Sequence, residues 1–250
     1  AGLLQLLIQL PELFRKGLLV RPKIDFKHPG VREIFTLMVP ALFGVSVVQI
    51  NLLLNTVWAS FMTEGTVTWL YTAERLTELP LGLIGIAIST VILPTLSAKH
   101  ARQDYGKFSD TLDWAAKVIV LVGVPASIAM FMLAQPMIAA LFQHSNQFSN
   151  FDVRMSAIAL QGMSVSILSF MLIKIFAPGF YARKDTQTPV KIGLISVGVN
   201  IILNVVLIAL LKWYANPNYP VHLALALSST IASVVNASML YRALSKAGIF

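Results

Sequence analysis

The stretch IGLISVGVNIILNVVLIALL, Ile192–Leu211, is twenty residues long and carries no charge. As a helix rising 1.5 Å per residue it would be about 30 Å long, the thickness of a bilayer's hydrocarbon core. Working outward from it, similar runs recur along the chain. Ile34–Met62 is uncharged, and Thr66–Ala98 is charged only at Glu74, Arg75 and Glu78. A third span lies within Lys117–Leu141, a fourth is Met155–Tyr181 with Lys174 inside it, and the last is about Val221–Tyr241. Ala1–Leu10 reads as the end of a further apolar helix. The expectation is an all-α polytopic transmembrane bundle of six full spans and one partial span.

Composition agrees. Of 250 residues 56% are hydrophobic and 12% charged, where a soluble domain carries about a quarter charged. The absence of cysteine excludes a disulfide framework, a thiolate metal site and a Cys nucleophile. The chain starts at Ala1 without a signal peptide, and both ends read as cut from a longer protein.

The net charge of +8 is placed by topology and forms no nucleic-acid stripe. Arg15, Lys16, Arg21, Lys23, Lys27 and Arg32 precede the first full span; Lys99, Arg102 and Lys107 follow the second; Arg183, Lys184 and Lys191 follow the fourth; Arg242 and Lys246 close the chain. The intervening loops hold only Arg154 and Lys212 at their edges. The positive-inside rule puts the basic loops of this multi-pass protein in the cytoplasm. Trp58, Trp69, Tyr71, Trp213, Tyr214 and Tyr219, near the opposite ends, fit an aromatic belt. Ala98–Asp113, with Tyr105, Phe108 and Leu112 among charges, reads as an amphipathic segment lying at the inner interface. Pro40, Pro80, Pro94, Pro125, Pro136 and Pro178 fall inside spans, where they are either bends that a rocking transporter can use or simply the prolines common in membrane helices.

The strongest local anomaly is Glu74-Arg75-Leu76-Thr77-Glu78. A helix starting near Thr66 puts Arg75 about 14 Å below the outer surface, a depth at which an ionisable group costs at least about 2.5–3.5 kcal/mol. Glu74, Arg75 and Glu78 share one helical face, which must look into protein or water. Arg75 would hold an anion there, since guanidinium suits phosphate oxygens; the other reading is a structural ion pair. Lys174 is either a second cationic contact in that cavity or a snorkelling lysine. Asn200 and Asn204 are four apart on one span, as are Asn51 and Asn55 on another, and Ser228, Ser229, Thr230, Ser233 and Asn236 line one side of the last. Such oxygens could take Na⁺, or serve as interhelical hydrogen-bonding glue, the reading the residues favour.

His28, His100, His144 and His222 are scattered over loops and span ends with no metal-ligand spacing, and each reads as a surface histidine. No firm metal site emerges. There is no P-loop, GxSxG or GxGxxG, so neither ATP-driven nor hydrolytic chemistry is expected.

Specific stretches resemble a known family. APGFYARKDTQTPVK, Ala177–Lys191, is similar to the APGFYxRxDxxTPVK stretch of the MurJ/MviN lipid II flippases. YTAERLTELP, Tyr71–Pro80, resembles that family's YxADRLxExP segment, and GLIGIA (Gly82–Ala87) and ILPTLS (Ile92–Ser97) resemble the pieces that follow it. The resemblance implies a fold of fourteen helices in two lobes, within the multidrug/oligosaccharidyl-lipid/polysaccharide exporter superfamily. This chain would run from the end of helix six to helix twelve. Residues 1–14 would end a preceding helix, 15–33 would be the basic cytoplasmic inter-lobe linker, 34–241 the six-helix second lobe, and 242–250 a cytoplasmic tail.

The implied activity is transport, not catalysis: moving lipid II, the undecaprenyl-pyrophosphate-linked disaccharide-pentapeptide, from the cytoplasmic to the periplasmic leaflet by alternating access. The family's cavity arginine maps to Arg75 and its nearby acid to Glu78, with Glu74 and Lys174 as further headgroup-cavity candidates. No cofactor is implied; Na⁺ or the membrane potential would supply the driving force. The family's cation site matches Asn200 and Asn204, with Asn55 beside them, but its acid on the first of these spans has no counterpart here. The expected partners are lipid II, the bilayer and the first lobe of the same protein, and no nucleic acid. Rival readings are another cargo of the superfamily, such as an O-antigen lipid or a drug/cation pair, and a membrane enzyme of lipid-linked sugar metabolism.

Overall fold

A computed structural model describes residues 10–17, 29–144, 148–214 and 220–249. The expected segment 1–9 and most of the basic linker, 18–28, lie outside these residues, as do His28 and Tyr219. The chain divides into two compact units, Ala1–Met38 and Val39–Phe250. In the first, residues 10–15 are helical, with Lys16 paired to Glu12 at 3.4 Å, and Gly17 at φ 64° ends the turn.

The described elements are helical, without a strand among them: α1 (Pro29–Ser60), α2 (Thr66–Pro80), a π-helical segment (Leu81–Ile86), α3 (Ala87–Ala101), α4 (Tyr105–Met132), α5 (Ala134–Phe142), α6 (Asn150–Tyr181), α7 (Gln187–Tyr214) and α8 (Leu223–Lys246). Five helical stretches among the described residues are long and apolar enough to cross a membrane: Thr66–Ala101, Tyr105–Met132, Asn150–Tyr181, Gln187–Trp213 and Leu223–Lys246. The uncharged run Ile34–Met62 coincides with the 32-residue α1.

Helix α6 is the axis of the second unit. Its apolar window is 56% buried against 22% for α4 and α7, because α2, α4, α5 and α8 all pack on it. Along it lie two apolar layers. One gathers Leu70, Leu76, Ile138, Leu160, Met163 and Leu225. The other gathers Leu96, Phe108, Ile119, Met171, Ile175 and Leu240. Between α6 and α8 the backbones come close. A Cβ on Gly162 would stand 3.0 Å from Cβ of Ala226, and Thr230 Oγ1 donates to the Gly162 carbonyl at 2.7 Å. Ser164, Ser228 and Ser233 donate to carbonyls of their own helices, so these hydroxyls enter the core satisfied.

The helix starts follow from local chemistry. Ser149 and Asp152 form a capping box at the head of α6. At the α6–α7 turn Lys184 takes φ 61°, and Asp185 Oδ1 accepts from the amides of Gln187 (3.1 Å) and Thr188 (3.0 Å). Thr188 Oγ1 donates to Asp185 Oδ2 at 2.6 Å. The KDTQTP core of the family-like stretch is thus a helix cap.

Two expectations are corrected here. Ala98–Asp113 is no separate interfacial segment: α3 ends at Ala101, Asp104 caps α4, and α4 runs unbroken from Tyr105 into the membrane. Phe108 and Leu112 are fully buried, because they pack against α6 and α8 and not among headgroups. The span expected within Lys117–Leu141 breaks at Leu133, leaving α5 as a short second helix.

The two ends of the second unit differ in chemistry. At one, Lys99 Nζ donates to the Lys107 carbonyl at 3.1 Å and to Thr111 Oγ1, and Ser109 Oγ donates to the Ile249 carbonyl, so the basic loops and the chain's end meet. At the other end Trp69 touches Phe151, Asp152 and His222. This is the segregation that the alternation of basic loops predicts.

Candidate functional site

Helix α2 carries the charged face. Gly65 precedes it at φ 92°, a conformation only glycine adopts freely, and a Cβ there would strike the Trp69 indole at 2.7 Å. Starting at Thr66, α2 places Arg75 about 14 Å along its axis, as the sequence implied. Leu70, Ala73, Leu76 and Thr77 are buried, which turns Tyr71, Arg75 and Glu78 outward from the unit.

Arg75 Nη1 binds Glu78 Oε2 at 3.0 Å, one helical turn apart. Their side chains stay 54% and 60% exposed, so this pair lies on the surface of one helix and fastens no helix to another. The Arg75 guanidinium carbon also lies over the Tyr71 ring, 4.7 Å from its centroid. Glu74, beside Arg75, is half-buried. Directly after this face Pro80 closes the α-helix and the chain widens into the π-helical segment Leu81–Ile86. Proline lacks the amide that would bond the preceding turn, and π-turns often stand next to functional positions.

Lys174 is exposed on α6 but is not brought to Arg75. Trp69 touches Asp152, and Gly85 faces Met171, so α2 with its π segment runs alongside α6 in the same direction. Counting from the Trp69–Asp152 contact at helical rise puts Lys174 about 24 Å further along the axis than Arg75.

Asn55, Asn200, Asn204 and Ser229 do meet, from α1, α7 and α8. Asn204 Nδ2 donates to Asn55 Oδ1 (3.0 Å) and Asn200 Oδ1 (3.2 Å). Asn55 Nδ2 and Asn200 Nδ2 donate to Ser229 Oγ at 3.1 and 3.3 Å. Asn200 and Asn204 are fully buried. Two amide oxygens are thus engaged by amide protons and no carboxylate joins them; Asn204 Oδ1, and Asn51 Oδ1 one turn before Asn55 on α1, are buried without a hydrogen-bond partner. That arrangement fits an interhelical hydrogen-bond knot. Among the described residues no cluster of three His, Asp or Glu could hold a metal ion.

Two further readings change. Trp69 is only 4% exposed, so it is no belt residue: its indole packs on Phe151 (5.6 Å) and His222 (5.2 Å). His222 is not a surface histidine but is 2% exposed, its Nε2 2.9 Å from the Met155 carbonyl, so the neutral ring donates there. Nothing local in the sequence announces this cluster, since its members come from three separate helix ends. Tyr71, read as belt, belongs with Arg75; the four-residue spacing was the available signal.

Residues 1–250 match the family described as "Lipid II flippase MurJ". The "Probable lipid II flippase MurJ" of Haemophilus influenzae is 48% identical over all of this chain and 48% of its own length. That of Vibrio cholerae is 45% identical, again over the whole chain and 46% of its own length. The "Lipid II flippase MurJ" of Burkholderia cenocepacia is 38% identical, with 47% of it covered. The chain therefore spans about half the length of the curated relatives it matches. Among solved structures, an inward closed conformation of lipid II flippase MurJ aligns over 91% of this chain and 46% of its own, with TM-score 0.69 and 23% identity. An outward-facing multidrug MATE-family transporter aligns over 85% of this chain and 44% of its own, with TM-score 0.69 and 15% identity. These two likenesses establish the fold alone. With the family match running the full length of the sequence, this chain belongs to the MurJ lipid II flippase family.

Proposed function

We propose that this chain forms the second lobe of a lipid II flippase, with Arg75 as an anchor for the pyrophosphate of the substrate. The observation that carries the reading is the exposed Arg75–Glu78 pair on a helix that crosses the membrane. Charge at that depth is tolerated only where it faces water or protein, and a guanidinium is the side chain best matched to phosphate oxygens. The headgroup enters a cationic cavity between this lobe and the first lobe of the same protein. The lobes rock, the cavity opens outward, and the polyprenyl tail stays in lipid. The protein acts as a transporter and breaks no covalent bond.

The basic end faces the cytoplasm of the inner membrane, with residues 15–33 linking the lobes. Single cysteines at Arg102 and Gln143, placed in an otherwise cysteine-free version of the whole protein, give a direct topology test with a membrane-impermeant thiol reagent. Only the Gln143 position should label in intact spheroplasts.

The membrane potential, worth about 2.3 kcal/mol per charge per 100 mV, supplies the bias. The neutral amide knot argues against a Na⁺ couple. Flipping in proteoliposomes should survive replacement of Na⁺ by K⁺ and slow when the potential is collapsed.

The central test is complementation, with the whole gene encoding this chain, of cells depleted of their own lipid II flippase. Rescue by wild type and failure by a stably expressed Arg75→Ala variant are expected. Failure of well-expressed wild type would instead point to another lipid-linked cargo, and rescue by both would make Arg75 structural.

A further inference from the structure

The geometry points to Tyr71 as the positioning residue for Arg75, holding the guanidinium in place while its counter-ion is exchanged for phosphate. This rests on the anchoring role of Arg75 proposed above. Tyr71 precedes Arg75 by four residues, so both side chains stand on one face of α2. The residue is 54% exposed and belongs to neither buried layer, so its ring does not serve the core. What it does touch is the guanidinium, whose carbon lies 4.7 Å from the ring centroid.

The two contacts of Arg75 are of different kinds. Glu78 takes a donor in the plane of the guanidinium, at 3.0 Å from Nη1. Tyr71 meets it through the π-face of its ring, over which the guanidinium carbon lies at 4.7 Å. An arriving phosphate competes with Glu78 for the same donors but leaves the ring contact untouched. When the carboxylate is displaced, the ring is the contact that still restricts the long arginine side chain. The cost of ordering that side chain is then met before the anion binds. Tyr71 therefore acts through Arg75 and needs no contact of its own with the substrate.

The test uses the whole protein in nanodiscs, with undecaprenyl pyrophosphate as the probe ligand. Its affinity is measured for wild type, Tyr71→Phe, Tyr71→Leu, Arg75→Ala and the Tyr71→Leu/Arg75→Ala double variant, each checked for an unchanged melting temperature. Tyr71→Leu should weaken binding about two- to fivefold, the range of an exposed cation–π contact. Tyr71→Phe, which keeps the ring, should bind as wild type does. In the Arg75→Ala background Tyr71→Leu should add nothing. Equal loss in both backgrounds would mean that Tyr71 acts independently of Arg75, and a Phe variant as weak as Leu would assign the effect to the hydroxyl; either overturns the inference. Normal binding by Tyr71→Leu alongside a weak Arg75→Ala overturns the Tyr71 role alone. Normal binding by Arg75→Ala removes the anchor itself, and this inference with it.

Discussion

The indole Nε1 of Trp69 donates a 2.8 Å hydrogen bond to Oδ1 of Asp152, tying the first turn of α2 to the capping box of α6 across 83 residues of chain. Asp152 Oδ2 meanwhile accepts from the amide and the hydroxyl of Ser149, at 2.9 and 2.7 Å. One carboxylate thus caps its own helix and docks the helix that carries Arg75. Replacing Trp69 with Phe keeps the ring contacts to Phe151 and His222 but deletes the donor. A loss of about 1–2 kcal/mol is expected in unfolding measured in detergent, the range for a bond to a charged acceptor between membrane helices. An unchanged unfolding midpoint would show that the bond contributes nothing.

At the α6–α8 contact, Gly162 leaves no room for a side chain. A Cβ there meets Leu223 Cδ1 at 2.9 Å and Ala226 Cβ at 3.0 Å. The leucine tip can swing aside, but the alanine can only move with its backbone. Gly162→Val should therefore destabilise by about 1–3 kcal/mol through overpacking, and Gly162→Ala by less. Paired melts of the two variants check the order.

In the amide knot Asn204 is the residue that donates twice, to Asn55 and to Asn200. Asn204→Ala leaves both oxygens without those donors, and a cost of about 1–2 kcal/mol is expected. The wild-type melting temperature should be the same in NaCl and KCl. A rise specific to Na⁺ would show that these oxygens hold the ion after all.

Asp104 offers a check by titration. It lies between α3 and α4, and its carboxyl is held below the ordinary 3.8, first by the hydrogen bond from the Lys107 ammonium and then by that from the Lys107 amide. Those contacts measure 2.8 and 3.2 Å. A depressed acid binds fewer protons folded than unfolded. Its contribution is complete above 3.8 and is lost as pH falls through the folded value. A carbon-detected titration should place the Asp104 midpoint below 3.8, and Lys107→Met should move it upward. A midpoint unaffected by that variant would remove the pairing as the cause.

Much of this protein was legible in its sequence, because the bilayer imposes a rule that local composition obeys. A spanning segment must satisfy its own backbone, so a long uncharged run such as Ile192–Leu211 becomes a helix whatever surrounds it. The basic loops likewise announced which helix ends lie together, and the Arg75–Glu78 pair followed from three-residue spacing alone. What the sequence left open depended on neighbours distant in the chain. Hydropathy assigned Phe108 and Leu112 to a membrane surface, but the Asp104 cap and the packing of α4 on α6 and α8 drew them inside. Trp69 and His222 looked like surface residues until three helix ends converged on them. The amide-rich faces of α1 and α7 favoured a knot over an ion, but which amide meets which came only with the fold, where Asn204 donates to both Asn55 and Asn200. Periodicity and charge report which face of a helix is polar; which partner that face meets is a property of packing, and packing belongs to the folded chain.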